Sequence, residues 1–341
     1  MMKKLPVLLM AGLMAFSAAS VYAGGGAAKG SGSARKIAFC FQDLETEFWV
    51  AGHKAITETL KAQGIEVIQY NGNQDANKQL EQVNDAIAQK VDGIILIPQD
   101  GESAVTICKT ANLAGVPIAV FNRPPSNRDA AALVVVADNK NIAYEAGKHM
   151  VLEAKKRYQA TGKKIIIGHM IGDLGDPNAI ARKQGFEQAV AEAPEIFEKT
   201  VEIPTKWDAN TALANLRSAM QAEPNISLIF CGSDFMYPQI KSVLEPLGKW
   251  QKIGNPNHVI LGAVDGDAGA GALMDEGYVD ATAVQDLYFE AEACMNAILE
   301  AIQKGDKRPN KWIDDPGFAL TQANMAQRHD DMWGNKLRAG K

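Results

Sequence analysis

The sequence is poor in the residues that mark most catalytic and metal-dependent chemistries. Cysteine occurs only four times in 341 residues, too thinly for a disulfide-stapled scaffold. The five histidines, His53, His149, His169, His258 and His329, are scattered, and none has a second histidine at metal-ligand spacing. No Gly-x-Ser-x-Gly elbow and no phosphate-cradling loop ending in Lys-Ser/Thr is present. The glycines of Gly266–Gly271 follow a strand signal but lack dinucleotide spacing. Positive charge is also short: 35 basic against 40 acidic residues leave −5, where a nucleic-acid partner would want a basic face. No repeat of 20–50 residues stands out, which argues against a solenoid. Acidic pairs such as Asp314-Asp315 read as solvated loop residues. The composition therefore favours neither an enzyme nor a cofactor.

What is there begins with one apolar run. Lys3 and Lys4 precede Leu5–Ala19, broken only by Pro6 and Ser17, and Val21-Tyr22-Ala23 has a small-x-small pattern. Residues 1–23 thus read as a signal peptide cut after Ala23, the run being short of the about 20 apolar residues of a spanning helix. An uncleaved anchor is the alternative. Residues 24–34, rich in Gly and Ser, read as a flexible tether. Export would place the chain in an oxidising compartment, where Cys40, Cys108, Cys231 and Cys294 could pair. Each lies in an apolar stretch, so buried free thiols are expected.

From Arg35 onward strand and helix patterns alternate. Apolar runs at Lys36–Phe41, Ile65–Tyr70, Gly93–Ile97, Val116–Phe121 and Ala132–Ala137 are separated by amphipathic segments, and the same rhythm resumes from Asn141 to Val284. Leu287–Lys304 closes it as a long helix with Ala291, Cys294, Ile298 and Ile302 on one stripe. Strands apolar on both faces predict mainly parallel sheets covered by helices. Two such blocks predict an α/β protein of two doubly wound parallel-sheet lobes.

Open α/β sheets bind ligands beyond the carboxyl ends of their strands. The residues at those ends are Gln42 and Thr46 ahead of Phe48 and Trp49, then Asn122 and Arg123, Arg182, Trp207, Ser233, Asp265 and Gln285. Amides, carboxylates and guanidiniums suit hydroxyl groups, and flat rings suit the C–H face of a sugar. Each residue has a bland alternative. Phe48 and Trp49 suit a core, Arg123 a surface turn, Arg182 a helical pair with Glu187, Trp207 a hydrophobic edge, and Asp265 and Gln285 turn closures. Asp208 reads better as a helix cap, a role also open to Asp234. The argument for a site rests on joint placement.

These pieces in this order resemble the periplasmic sugar-binding proteins of ABC transporters, in the ribose- and galactose-binding group. The resemblance runs from about Lys36 to Met325. It is carried by Phe48-Trp49, Asn122-Arg123, Arg182–Phe186, Asp265-Gly266, Ala281–Gln285 and Ala319–Asn324. It implies the type I periplasmic binding fold, with three crossings near Ala137–Asn139, Gln285-Asp286 and Asp314–Pro316. The lobes would be 35–137 with 286–313, and 138–285 with 314–335. It implies that Phe48, Trp49 and Trp207 clamp sugar faces while Asn122, Arg123, Arg182, Ser233, Asp265 and Gln285 bind hydroxyls, with Gln42 and Thr46 as weaker candidates. Asn122 stands where the family often has Asp, Ser233 where it often has Asn, and Trp49 and Trp207 where it often has Phe, so pentose, hexose, polyol and cyclitol all stay open. The implied protein is a periplasmic monomer without cofactor or metal. It closes on a monosaccharide or polyol and delivers it to a membrane permease. A soluble receptor presenting a sugar-like signal to a membrane sensor is the alternative. A repressor effector domain would need a helix-turn-helix where the leader stands, and a secreted enzyme would need a paired acid and base in the cleft.

Overall fold

The structure is a computed structural model that describes residues 35–340. The leader expected over 1–23 and the tether over 24–34 lie outside the described residues. The first five strands run β1 (Lys36–Phe41), β2 (Glu66–Asn71), β3 (Gly93–Leu96), β4 (Ile118–Phe121) and β5 (Leu133–Ala137), alternating with α1 (Glu47–Ala62), α2 (Ala76–Ala88) and α3 (Gly101–Ala114). Then come α4 (Asn139–Thr161), β6 (Ile165–Ile171), α5 (Pro177–Val190), β7 (Phe197–Pro204), α6 (Ala209–Ala222), β8 (Ile226–Cys231), α7 (Tyr237–Leu244), β9 (Ile260–Asp265), α8 (Ala268–Asp275) and β10 (Ala281–Val284). The chain ends with α9 (Leu287–Lys304), β11 (Lys311–Asp315), β12 (Phe318–Thr321) and the short helices α10 (Met325–Arg328) and α11 (Trp333–Arg338).

These strands form two six-stranded sheets, ordered β2-β1-β3-β4-β5-β11 and β7-β6-β8-β9-β10-β12. Both follow the doubly wound order 2-1-3-4-5, whose ligand crevice lies at the carboxyl ends of the strands. The inner strands β3, β4, β5 and β6 are buried along their whole length, which is why their sequences read as unbroken apolar runs. Seven helices open on an aspartate cap: Asp75, Asp100, Asp138, Asp176, Asp208, Asp267 and Asp286 each accept from a backbone N–H of the first turn. Each such cap stabilises by about 1 kcal/mol, and together they fix where the helices leave the sheet edges. Asp208 is thus a cap, as its sequence context suggests.

The last two strands were not visible as apolar runs. β11 (Lys311–Asp315) has exposed Lys311 and Asp314 and half-buried Trp312 and Ile313, because it lies at a sheet edge. It joins the first sheet beside β5, pairing Asp314 with Val136 and Asp315 with Ala137, so the third passage between sheets begins at Pro316. β12 then adds to the second sheet antiparallel to β10, the one strand that departs from the parallel pattern expected there. Asp315 is buried, at 2% exposure, and is no solvated loop residue. Among the described helices none is long and apolar enough to cross a membrane.

The second lobe is built around α4 and α5, which touch where Gly147 and Gly185 face each other's helix. A Cβ on Gly185 would lie 2.1 Å from the Lys140 carbonyl oxygen. This contact sets the height of α5 over its sheet and hence the reach of Arg182, one turn earlier. All four cysteines are buried and unpaired; burial pushes the thiols of Cys40, Cys108 and Cys231 up to about 12 and raises Cys294 too. Two outcomes are expected. Gly185→Ala should destabilise by about 1–3 kcal/mol in urea unfolding, through overpacking against backbone; an unchanged midpoint would contradict the close crossing. A chromogenic thiol reagent should find no reactive cysteine in the native protein and four after unfolding.

Candidate ligand-binding cleft

The carboxyl edges of the two sheets face each other across a cavity of about 340 Å³. All the strand-end candidates line it: Gln42, Thr46, Phe48, Trp49, Asn122, Arg123, Arg182, Trp207, Ser233, Asp265 and Gln285. The topology explains this. Gln42 follows β1, Asn122 and Arg123 follow β4, Ser233 follows β8, Asp265 ends β9 and Gln285 follows β10. Phe48 and Trp49 form the first turn of α1 behind Thr46, whose hydroxyl caps the helix by accepting from the Trp49 N–H at 3.3 Å. Their rings meet edge to face at 5.1 Å. Trp207 lies across the second lobe's edge. Its ring covers Gly172 and Gly232, and a Cβ on Gly172 would fall 2.2 Å from it.

Two buried arginines dominate the polar lining. Arg123 donates from Nε to Asp176 Oδ2 at 2.8 Å and from Nη1 to the carbonyls of Pro98 at 3.0 Å and Gln99 at 2.7 Å, and to Gln42 Oε1. Its guanidinium stands 5.6 Å from the Trp49 ring centre. Arg182 donates from Nε to Asn139 Oδ1 at 2.6 Å and from Nη1 to the Gly232 carbonyl at 2.7 Å, and pairs with Asp265 Oδ1 at 3.0 Å. It does not pair with Glu187, which goes to Lys183. The Asp265 carboxylate further accepts from Ser233 Oγ on Oδ2 and from Gln285 Nε2 at 2.8 Å on Oδ1. Burial raises the Asp265 pKa, and Arg182 with the hydroxyl and amide donors opposes that rise. Each arginine is thus matched by one aspartate, and the cavity floor carries no excess charge from these four groups.

Five lining residues hold positive φ: Gln74 at 60°, Asn122 at 64°, Lys206 at 52°, Trp207 at 56° and Asp265 at 121°. Such torsions cost of order 1–3 kcal/mol in a non-glycine residue and persist only where neighbours fix them. For Asp265 the fixing is visible. The Trp333 indole donates to its carbonyl at 2.8 Å, and buried Asp234 accepts from the next two backbone N–H groups, Gly266 at 2.6 Å and Asp267 at 3.2 Å. Asp234 is therefore a turn clamp, not a helix cap.

The structure also changes the reading of two candidates. Both amide hydrogens of Asn122 point at protein acceptors, Gln285 Oε1 and Glu290 Oε2, each at 2.9 Å, so Asn122 is first a strut between floor residues. Gln42 supports Arg123 in the same way. Conversely, Asp176 and Asn178 were not anticipated, although both line the cavity. Asp176 bridges Arg123 and the Trp207 Nε1–H, the latter at 3.2 Å, and Asn178 donates to the Asn122 carbonyl at 3.1 Å. The Asp176-Pro177 pair does signal a helix start, but nothing local reveals that its far oxygen reaches the other lobe. Further contacts join the lobes at the rim: Gly101 N–H to the Gly175 carbonyl at 3.0 Å, Ala268 N–H to Glu47 Oε2 at 2.8 Å, and Phe48 against Trp333 at 5.8 Å.

A family model for the periplasmic binding protein domain matches residues 37–307. The chain belongs to the periplasmic binding protein family. Its curated relatives include a D-apiose import binding protein of Actinobacillus succinogenes, 26% identical over 303 residues, covering 88% of this chain and 88% of the relative. The ribose import binding protein of Bacillus subtilis is 24% identical over 266 residues, covering 76% and 80%. Among solved structures, a solute binding protein of Bacillus halodurans with bound myo-inositol superposes with a TM-score of 0.73 at 23% identity, covering 88% of this chain and 99% of that one. This periplasmic binding protein has the two-lobed type I fold, and the named relatives are binding proteins, not enzymes.

Within this periplasmic binding protein the Arg182–Asp265 pair is buried, so removing one partner strands a charge. Asp265→Ala should therefore destabilise the ligand-free protein by about 3 kcal/mol in urea unfolding. A loss below about 0.5 kcal/mol would mean that Arg182 finds another partner.

Proposed function

We propose that this protein is exported and freed of residues 1–23 after Ala23. It then captures a neutral monosaccharide or polyol between its lobes and hands it, unaltered, to an ABC transporter permease. The observation that carries this reading is the lining of the cleft. Two guanidiniums, each neutralised by an aspartate, stand beside Trp49 and Trp207. A neutral polyhydroxylated molecule can bridge such a lining through hydrogen bonds to charged groups, each worth roughly 1.5–3 kcal/mol, while its C–H face covers an indole ring. A few of these reach about −8 kcal/mol, micromolar affinity. An acidic sugar or sugar phosphate would need an unmatched cation, and both buried arginines are already matched. The relatives' names point to the same chemistry: D-apiose, ribose, xylitol and D-allose.

Cavity walls come from both lobes, so the molecule meets its full set of partners only when the lobes are together, and its binding energy favours that arrangement. The lobes of this reading are residues 35–137 with the α9–β11 return, and α4 through β10 with β12 and the tail. A single chain carries every lining residue, so a monomer suffices.

The direct test is a thermal-shift screen against D-apiose, D-ribose, D-allose, xylitol and myo-inositol. At about 100 times its dissociation constant a ligand adds roughly 2.7 kcal/mol, a rise in Tm of about 5 °C for a chain of this size. Glucuronate and ribose 5-phosphate should give no rise. Arg123→Ala should weaken the responding compound at least a hundredfold. A panel without any response, a response confined to the acidic compounds, or mass-spectrometric conversion of a bound compound would defeat the proposal.

A further inference from the structure

Beneath the cleft floor lies a pair of acids that the lining does not use. Glu290, in the first turn of α9, is completely buried, and Asp315 at the end of β11 is nearly so. Asp315 ties together all three segments that pass between the lobes. Its backbone carbonyl accepts from the Asp138 N–H at 2.9 Å, its Oδ2 from the Asp286 N–H at 2.6 Å and its Oδ1 from the Gly317 N–H at 2.9 Å. The knot is tight: a Cβ on Gly317, at φ +51°, would fall 2.5 Å from the Val284 carbonyl oxygen.

Glu290 connects this knot to the cleft. Its Oε2 accepts from Asn122 Nδ2 at 2.9 Å. Its Oε1 is buried and meets no N–H or hydroxyl donor among the described residues, and the carboxyl group that acts on it most strongly is that of Asp315. Two carboxyl groups share a hydrogen bond only if one carries a proton. Both Asp315 oxygens accept backbone N–H groups, as suits an ionised carboxylate, whereas Glu290 keeps one buried oxygen without a donor, as suits a carboxyl that carries its proton. Burial, then Asp315, holds the Glu290 pKa well above the ordinary carboxyl range, against the pull of Asn122 and Arg182. The charged and titratable groups facing the pair are Asp286 at the head of α9, Arg182 on α5 and Cys294 one turn further along α9.

The geometry points to Glu290 as a positioning residue: as a neutral acid it donates to Asp315 and accepts from Asn122, fastening the three crossing segments to the Asn122–Gln285–Asp265 chain of the cleft floor. This rests on the cleft being the ligand site, and it adds a role for a residue that does not line the cavity. Because the folded protein keeps this proton where the unfolded chain loses it near pH 4.5, its contribution is whole below that pH. It is lost progressively as pH rises toward the folded value.

The test compares wild type, Glu290→Gln and Glu290→Leu. The glutamine amide keeps one donor and one acceptor in place but carries no titrating proton. In urea unfolding of the ligand-free protein at pH 5, 6, 7 and 8, the wild-type unfolding constant should rise relative to that of Glu290→Gln by up to tenfold per pH unit, until the folded pKa is passed. Titrated with the five sugars and polyols of the panel at pH 6, Glu290→Gln should bind within threefold of wild type and Glu290→Leu at least tenfold more weakly. Parallel pH profiles for wild type and Glu290→Gln, or wild-type affinity in Glu290→Leu, would overturn the assignment. Should Glu290→Leu not fold, the paired urea profiles decide. Should wild type bind none of the five compounds, the transport reading fails while the urea profiles still test the proton on Glu290.

Discussion

Charge buried between two bodies has to be matched, and that constraint organises this molecule. An unpaired guanidinium inside protein is costly enough to unfold a domain of ordinary stability. Arg123 and Arg182 are tolerated because Asp176 and Asp265 stand within 3.0 Å of them. The two pairs differ in consequence. Arg182–Asp265 lies within one lobe and is part of its architecture. Arg123–Asp176 spans the cleft, so one lobe's charge is matched by the other only when they are together. The stability of one lobe and the association of the two are thus governed by the same kind of contact at different places.

The topology makes this economical. Both sheets run in the order 2-1-3-4-5 and present their carboxyl ends to the same space. Polar side chains can be added there without disturbing apolar strands behind them. The caps serve a second purpose, because helices capped at that edge start at defined points: Asp176 fixes the depth at which α5 carries Arg182 to the cavity, and Thr46 does the same for Trp49 on α1. Where the backbone departs from relaxed torsions, at Asp265, the departure is held by a residue far along the chain, Trp333.

Much of this was legible in the sequence, for a physical reason. Inner strands such as β4 and β5 are buried on both faces and must be apolar throughout, so their limits are written in composition. The strand ends are where that rule lapses, and the polar residues there, from Gln42 to Gln285, announced themselves by breaking the runs. What was not legible depends on pairing across distance. β11 and β12 lie at sheet edges and follow no apolar rule. Asp315 looked like half of a solvated pair because its partners are backbone groups from three separated segments. Asp176 reads as a helix cap, which it is, while its second oxygen serves Arg123. Glu290 did leave a trace: it sits on the apolar stripe of α9, one turn before Cys294, where a charged residue has no business unless neutralised. Asn122 was read as a ligand donor because its neighbours in sequence do not show that Gln285 and Glu290 take both of its hydrogens.

The interleaving of the chain has a consequence for how the molecule comes into being. The first sheet is begun by Lys36 but receives its last strand only at Asp315, and α9, which covers β3, β4 and β5, is made after every helix of the second lobe except the short tail helices. During vectorial synthesis from the amino end, the early half therefore lacks its cover and its edge until some nine-tenths of the described residues have emerged. A nascent chain of this design stays incompletely folded for most of its elongation, which is the condition that threading through a narrow channel requires.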